Sequence, residues 1–260
     1  MKKLSYHFFS SLIIIGFLMA FQPYSDPANE IQEMLKKASE RVQSADESGA
    51  MNLYSEVLEK NSDQMEALWN MSVLYAQRGY RADESSDQES DYETADKYAD
   101  KCLEVHPDKA PCHFAKALAI GRMAEITGTR DRIRKSEVVK NHADKAVELD
   151  PEFFRAWHLL GVWHSEVANL GRRERFAART FFGGLPKDAS NDEAVESFEK
   201  ALEMNPQSIL IHLDYARHYR RTGKNEKAIE LLEEVSNLEP TYVDDEVHKA
   251  EAERLFNRLT

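Results

Sequence analysis

The 260-residue sequence is poor in the residues that break or cross-link a chain. Its 10 glycines and 8 prolines are few for its length. Few turn-formers mean few turns, which favours helices over a many-stranded sheet. Only Cys102 and Cys112 are present, ten residues apart. That is too little cysteine for a disulfide-built fold, and the spacing is wrong for a zinc site. Basic charge is also short. Lys plus Arg is 34 against Asp plus Glu 46, a net charge of −12. Phosphate neutralisation needs a basic face, so nucleic acid is excluded as a general partner. No H-E-x-x-H, G-x-S-x-G or phosphate loop occurs, and no cofactor or metal is expected. His158 and His164 are six apart, as are His212 and His218, a spacing that puts each pair on different helix faces. What is present is 42% apolar and 31% charged residues, the composition of a packed soluble domain.

One long apolar run exists. Lys2 and Lys3 precede 14 mostly apolar residues from Phe8 to Phe21. This has the shape of a secretory signal and is shorter than the ~20 residues of a membrane-spanning helix. Leu18-Met19-Ala20 offers a cleavage site. Residues 1–20 are therefore read as a signal peptide or short N-terminal anchor, 21–27 as a linker and 28–260 as the folded domain. The expected location is outside the cytoplasm, periplasmic or secreted in a bacterium. An oxidising compartment permits a Cys102–Cys112 disulfide about the turn at Pro107, although a free buried Cys102 is equally natural.

A repeat appears in the second half. Pro206 recurs as Pro240, a period of 34, with Tyr215, Ala216, Tyr219 and Gly223 on a first helix and Ala228, Leu232 and Val235 on a second. Pro151 is followed by Trp157, Leu160, Gly161 and His164, close to the pattern W-x₂-L-G-x₂-Y. Pro107 and Ser62 begin two earlier units. A position that must be small, where two helices cross, holds Ser72, Ala117, Gly161 and Ala216. The chain resembles the tetratricopeptide repeats. The expected fold is an all-α superhelix of about five helix pairs, with a closing helix over 243–259 whose apolar side carries Val247, Ala250, Leu255 and Leu259. The unit spacings are 45, 44, 55 and 34, so extra residues fall between the two helices of the first three units. They are expected as insertions along one edge, the acidic one from Asp83 to Glu93 solvated and Gly183-Gly184 ending a helix.

A narrower resemblance lies between Leu160 and Pro206. Gly161, Trp163, Glu166 and Val167, then the basic run Arg172–Arg179, Phe182 and Gly183, then a helix from Asp192, resemble the C-terminal domain of the regulator-of-microtubule-dynamics family. The resemblance implies a non-enzymatic helical-repeat domain with membrane-associated roles and, in some members, lipid binding. The expected export would separate this chain from microtubules, so the family's name is not carried over as a function.

First helices of such repeats line a concave face. Positions read from the register place Trp69, Phe114, Arg122, Arg155, His158, Leu213, Arg217, Arg220 and Arg221 there, with five arginines against two glutamates, Glu66 and Glu166, in the full inward set. That groove suits an acidic protein or peptide. A second basic feature, a ridge on two neighbouring insertions, joins Arg130, Arg132, Arg134 and Lys135 to Arg172, Arg173, Arg175 and Arg179, next to Phe181 and Phe182. The first expectation is an exported scaffold binding a protein or peptide. The alternative is a carrier or membrane-surface protein binding anionic lipid.

Overall fold

The computed structural model describes residues 27–182 and 188–260. Among them are twelve helices and no strand: α1 Pro27–Gln43, α2 Glu47–Lys60, α3 Met65–Arg81, α4 Ser85–Val105, α5 Ala110–Glu125, α6 Thr129–Leu149, α7 Phe154–Ala168, α8 Arg172–Phe182, α9 Asn191–Met204, α10 Ile209–Arg221, α11 Asn225–Asn237 and α12 Asp245–Leu259. The expected signal segment, and the linker up to Pro27, lie outside the described residues, as does Gly183-Gly184.

The helices pair as α1 with α2, α3 with α4, α5 with α6, α7 with α9 and α10 with α11, and α12 packs on the last pair. Helices α3, α5, α7 and α10 touch in succession as an inner layer. This is the expected tetratricopeptide-like superhelix. Its local causes are readable. Ser208 caps α10 by accepting from the Ile211 N–H, and Ser190 caps α9 by accepting from Glu193. Gly223, at φ 77°, supplies the left-handed residue between α10 and α11. The small crossing positions Ser72, Ala117 and Ala216 are fully buried. At Gly161 a Cβ would meet the Phe198 ring at 2.8 Å, so the α7–α9 crossing admits no side chain. Alanines 95, 99, 143, 146, 194 and 201 fill the facing slots of the outer helices with no exposure.

The extra residues do not form loops in the first two units. They lengthen the outer helices, so α4 and α6 each have 21 residues against 13 in α11. The acidic stretch is solvated as expected at Asp83, Glu84, Asp87, Glu89 and Glu93, but from Ser85 onward it is the start of α4 rather than a separate insertion. Its Asp91 is buried and accepts from Arg78 at 2.9 and 2.5 Å. Helix formation is favoured at this end by Asp87 in the first turn, which complements the helix dipole. Only the third insertion makes an element of its own, α8, which lies against α6.

The closing helix is rotated from its expected face. His248, Ala252 and Leu255 are buried, whereas Val247 is 50% exposed. The stripe 248, 252, 255, 259 follows the spacing of four, three and four that one helix face requires, and Val247 falls off it. The segment ahead of α12 crosses the concave side. There Asp244 accepts from Arg81 at the end of α3, and Arg81 also bonds Glu47 at the start of α2.

Candidate functional site

The inner helices enclose a groove of about 810 Å³, a size within the range of small-molecule sites. Apolar side chains make most of its wall: Phe114 and Leu118 from α5, Ile133 and Val139 from α6, Leu159, Val162 and Trp163 from α7, and Ile211 from α10. Tyr242, Asp244, Asp245 and His248, from the crossing segment and α12, close one side. These four were missed by the sequence reading, since nothing in a repeat register signals that the chain returns across its own concave face.

Seven of the nine expected groove residues line it: Phe114, Arg122, Arg155, His158, Arg217, Arg220 and Arg221. Two do not. Leu213 is fully buried in the core of the last pair. Trp69 packs edge-on against Phe153, ring centroids 6.4 Å apart, beside Phe114.

The expected excess of positive charge in the groove is corrected. Six arginines line it (122, 132, 155, 217, 220 and 221), and so do six carboxylates, at 125, 166, 174, 214, 244 and 245. Register positions alone counted the first helices and omitted the acids that other segments bring in. Most of the arginines are engaged. Arg122 pairs with Glu125 at 3.0 Å and lies over the Tyr80 ring. Arg221 pairs with Glu166 and donates to the Ser165 carbonyl. Arg217 bridges Asp214, at 2.6 Å, to Glu251 of α12. Asp214 also meets His158 Nε2 at 2.9 Å. Burial alone would raise the Asp214 carboxyl, but the His158 hydrogen bond and the Arg217 charge hold it at about 2. The chain His158–Asp214–Arg217–Glu251 ties α7, α10 and α12 together.

Arg155 differs. Its guanidinium stands 5.2 Å from the Phe154 ring centroid and 5.7 Å from that of Tyr242. No carboxylate among the described residues forms an ion pair with it, and burial lowers its pKa from the usual arginine range. A half-buried cation between aromatic rings, with the Tyr242 hydroxyl as its hydrogen-bond partner and apolar wall beside it, is a site that an anion would complete.

On the expected ridge, α8 packs on α6, so the two basic segments are neighbours. Two of its members cap helices. Arg132 donates to the carbonyls of Ala124, in the last turn of α5, and Thr127 beyond it, and Arg175 to those of Ala168, the last residue of α7, and Leu170 beyond it. Arg134 pairs with Asp131 at 2.9 Å. Arg130, Arg172, Arg173 and Arg179 are exposed and Lys135 is half-buried. Phe176, 73% exposed, adds an apolar point among them. The side chains of Phe181 and Phe182 lie outside the described residues.

Cys102 ends α4 and Cys112 begins α5, both fully buried, with Cα atoms 5.3 Å apart and the sulfurs joined. Among the described residues no group of three or more His, Cys, Asp or Glu could hold a metal ion, and no helix is long and apolar enough to cross a membrane.

Residues 30–260 match the family model "Regulator of microtubule dynamics protein 1-3". The chain is 28% identical over 218 residues to regulator of microtubule dynamics protein 3 of Xenopus laevis, covering 82% of this chain and 47% of that protein. Against the Rattus norvegicus protein of the same name it is 30% identical over 221 residues, 82% and 46%. It thus spans about half the length of these relatives. In fold it is similar to a tetratricopeptide-repeat protein of Thermus thermophilus, with a TM-score of 0.62 at 16% identity, covering 86% of this chain and 99% of that one. The relatives overturn the expected export. They are animal proteins named for acting on microtubules, and microtubules are not found in a bacterial periplasm or outside the cell. A basic start followed by a short apolar run is a generic hydrophobic pattern, which does not by itself specify a compartment.

Proposed function

The chain belongs to the regulator-of-microtubule-dynamics family, and from that premise we propose that its repeat domain binds a single anionic amphiphile in the groove. Arg155 receives the anionic head. The apolar wall of Phe114, Leu118, Leu159 and Val162 takes the body. The observation that carries this reading is Arg155, a half-buried cation between two aromatic rings with no ion-paired carboxylate among the described residues. The crossing segment favours it over the expected acidic protein or peptide, because a ligand under Tyr242 and Asp244 is covered, whereas a peptide laid along the groove needs an open trough. The role is binding, without a catalytic step.

Native mass spectrometry of the full chain, purified gently, tests this. A co-purifying anionic amphiphile should be retained by the wild type and lost from Arg155→Met. Equal retention by the variant would overturn the reading.

A second reading rests on a different surface. Arg172, Arg173 and Arg179 are exposed on α8 around Phe176. Such a patch suits an acidic protein surface, and the relatives are named for regulating microtubule dynamics. Co-sedimentation with microtubules should fall when these three arginines become glutamate. Undiminished co-sedimentation excludes the patch.

A further inference from the structure

We propose that the small cavity between α10 and α12 is a binding site for a phosphate monoester, held by Arg220, Arg254 and Arg258. The cavity has a volume of about 140 Å³. Its floor is Leu213 and Leu255, both buried. Arg217 and Glu251 form one wall, and the three remaining arginines complete the lining.

Helical spacing brings these charges together. Arg217 and Arg220 are three apart on α10, and Arg254 and Arg258 four apart on α12, so each pair shares a face. The only carboxylate lining the cavity is already committed, since Glu251 bonds Arg217 and Arg217 also bonds Asp214. Arg220, Arg254 and Arg258 have no ion pair with a described carboxylate, and Arg258 Nε donates only to the Arg254 carbonyl, at 3.2 Å. Helix C-termini attract cations. That accounts for arginine near the end of each helix, but not for the convergence of three on one cavity in a chain of net charge −12.

The chemistry of the set selects the ligand. Planar guanidinium forks match the oxygens of a tetrahedral oxyanion and bind it bidentately. A monoester carries close to two charges and three terminal oxygens, one for each free arginine. The volume fits one phosphate group. Arg217 and Arg220 border both this cavity and the groove, whereas Arg254 and Arg258 line the cavity alone, so those two separate this site from the Arg155 reading.

The test is calorimetric titration of the full chain with inorganic phosphate and methyl phosphate at constant ionic strength. Saturable binding is expected. Arg254→Gln with Arg258→Gln should weaken it by about tenfold per arginine, with the helical circular dichroism unchanged, while Arg155→Met leaves it intact. Binding that survives the double variant overturns the proposal, and so does an equal response to chloride. Vesicles of phosphatidylcholine with and without phosphatidate then separate the sources. Vesicle binding competed by free phosphate assigns a lipid-borne monoester, and phosphate binding without vesicle binding assigns a soluble one.

Discussion

Arg81 Nη1 donates to Asp244 Oδ1 over 2.7 Å, joining residues 163 positions apart. Asp244 is 6% exposed, and Arg81 makes a second bond to Glu47. Removing the arginine leaves a buried carboxylate without its cation. Arg81→Ala should cost about 1–3 kcal/mol, the usual range for an orphaned buried polar group. Urea denaturation measures the loss. Hydrogen exchange should show faster opening of residues 238–250, and unchanged protection there would contradict a latching role.

Gly161 has no room for a methyl group against Phe198. Gly161→Ala should destabilise by about 1–3 kcal/mol through overpacking, despite alanine's better helix propensity. Gly121, inside α5, is the control: its Cβ would meet only the Val139 side chain, at 3.8 Å. Gly121→Ala should leave stability unchanged or raise it by up to about 1 kcal/mol, through helix propensity.

Histidine burial sets the acid limit of stability. His218 is 1% exposed, Nδ1 meets Ser165 Oγ at 2.9 Å, and Nε2 has no partner among the described residues. Burial, then the charges of Arg221 and Lys224, push its pKa down to about 4 from 6.5. The unfolded chain therefore binds this proton first. Stability is undiminished above pH 6.5 and falls between 6.5 and 4, by about 3 kcal/mol for that shift. Burial lowers His142 and His164 with the same sign. Asp214, held at about 2, loses its contribution only below the unfolded carboxylate range, as pH falls through 2. His218→Gln should flatten the upper part of the curve. A slope unchanged between pH 6.5 and 4 would count against the neutral buried ring.

Cys102 and Cys112 meet across the turn between α4 and α5. Non-reducing peptide mapping should recover a linked fragment. Reduction should lower stability by about 2–3 kcal/mol, as closure of so short a loop implies. Recovery of two alkylated cysteines from protein prepared without reductant would sink the bond.

Much of the fold was legible because repeats expose their packing rules in sequence. Ser72, Ala117, Gly161 and Ala216 mark the crossings, and all four are buried. What was hidden follows from context. The residues before Asp91 and before Ile133 read as insertions because a fixed period leaves no place for them, yet they form the N-terminal turns of α4 and α6. Val247 and His248 differ by one position, and hydrophobicity chose the wrong one because the partner face was unknown. The groove was half visible. Five of its six arginines came from the register, but Arg132 was expected on the ridge, and Tyr242, Asp244, Asp245 and His248 come from a segment that obeys no register. Pairing such as Arg217 with Glu251 needed both helices in place.

The crossing segment also changes how the molecule comes apart. An open repeat array is a one-dimensional chain of neighbours, and its ends fray first. Here the last helix is tied to the first full unit through Asp244 and Arg81. Loss of α12 removes a contact of α3, so the two ends share one fate. Folding must close that long loop late and slowly. Once closed, the array from α3 to α12 is bridged at both ends, and α1, packed on α2 outside that closure, is the end from which unfolding begins.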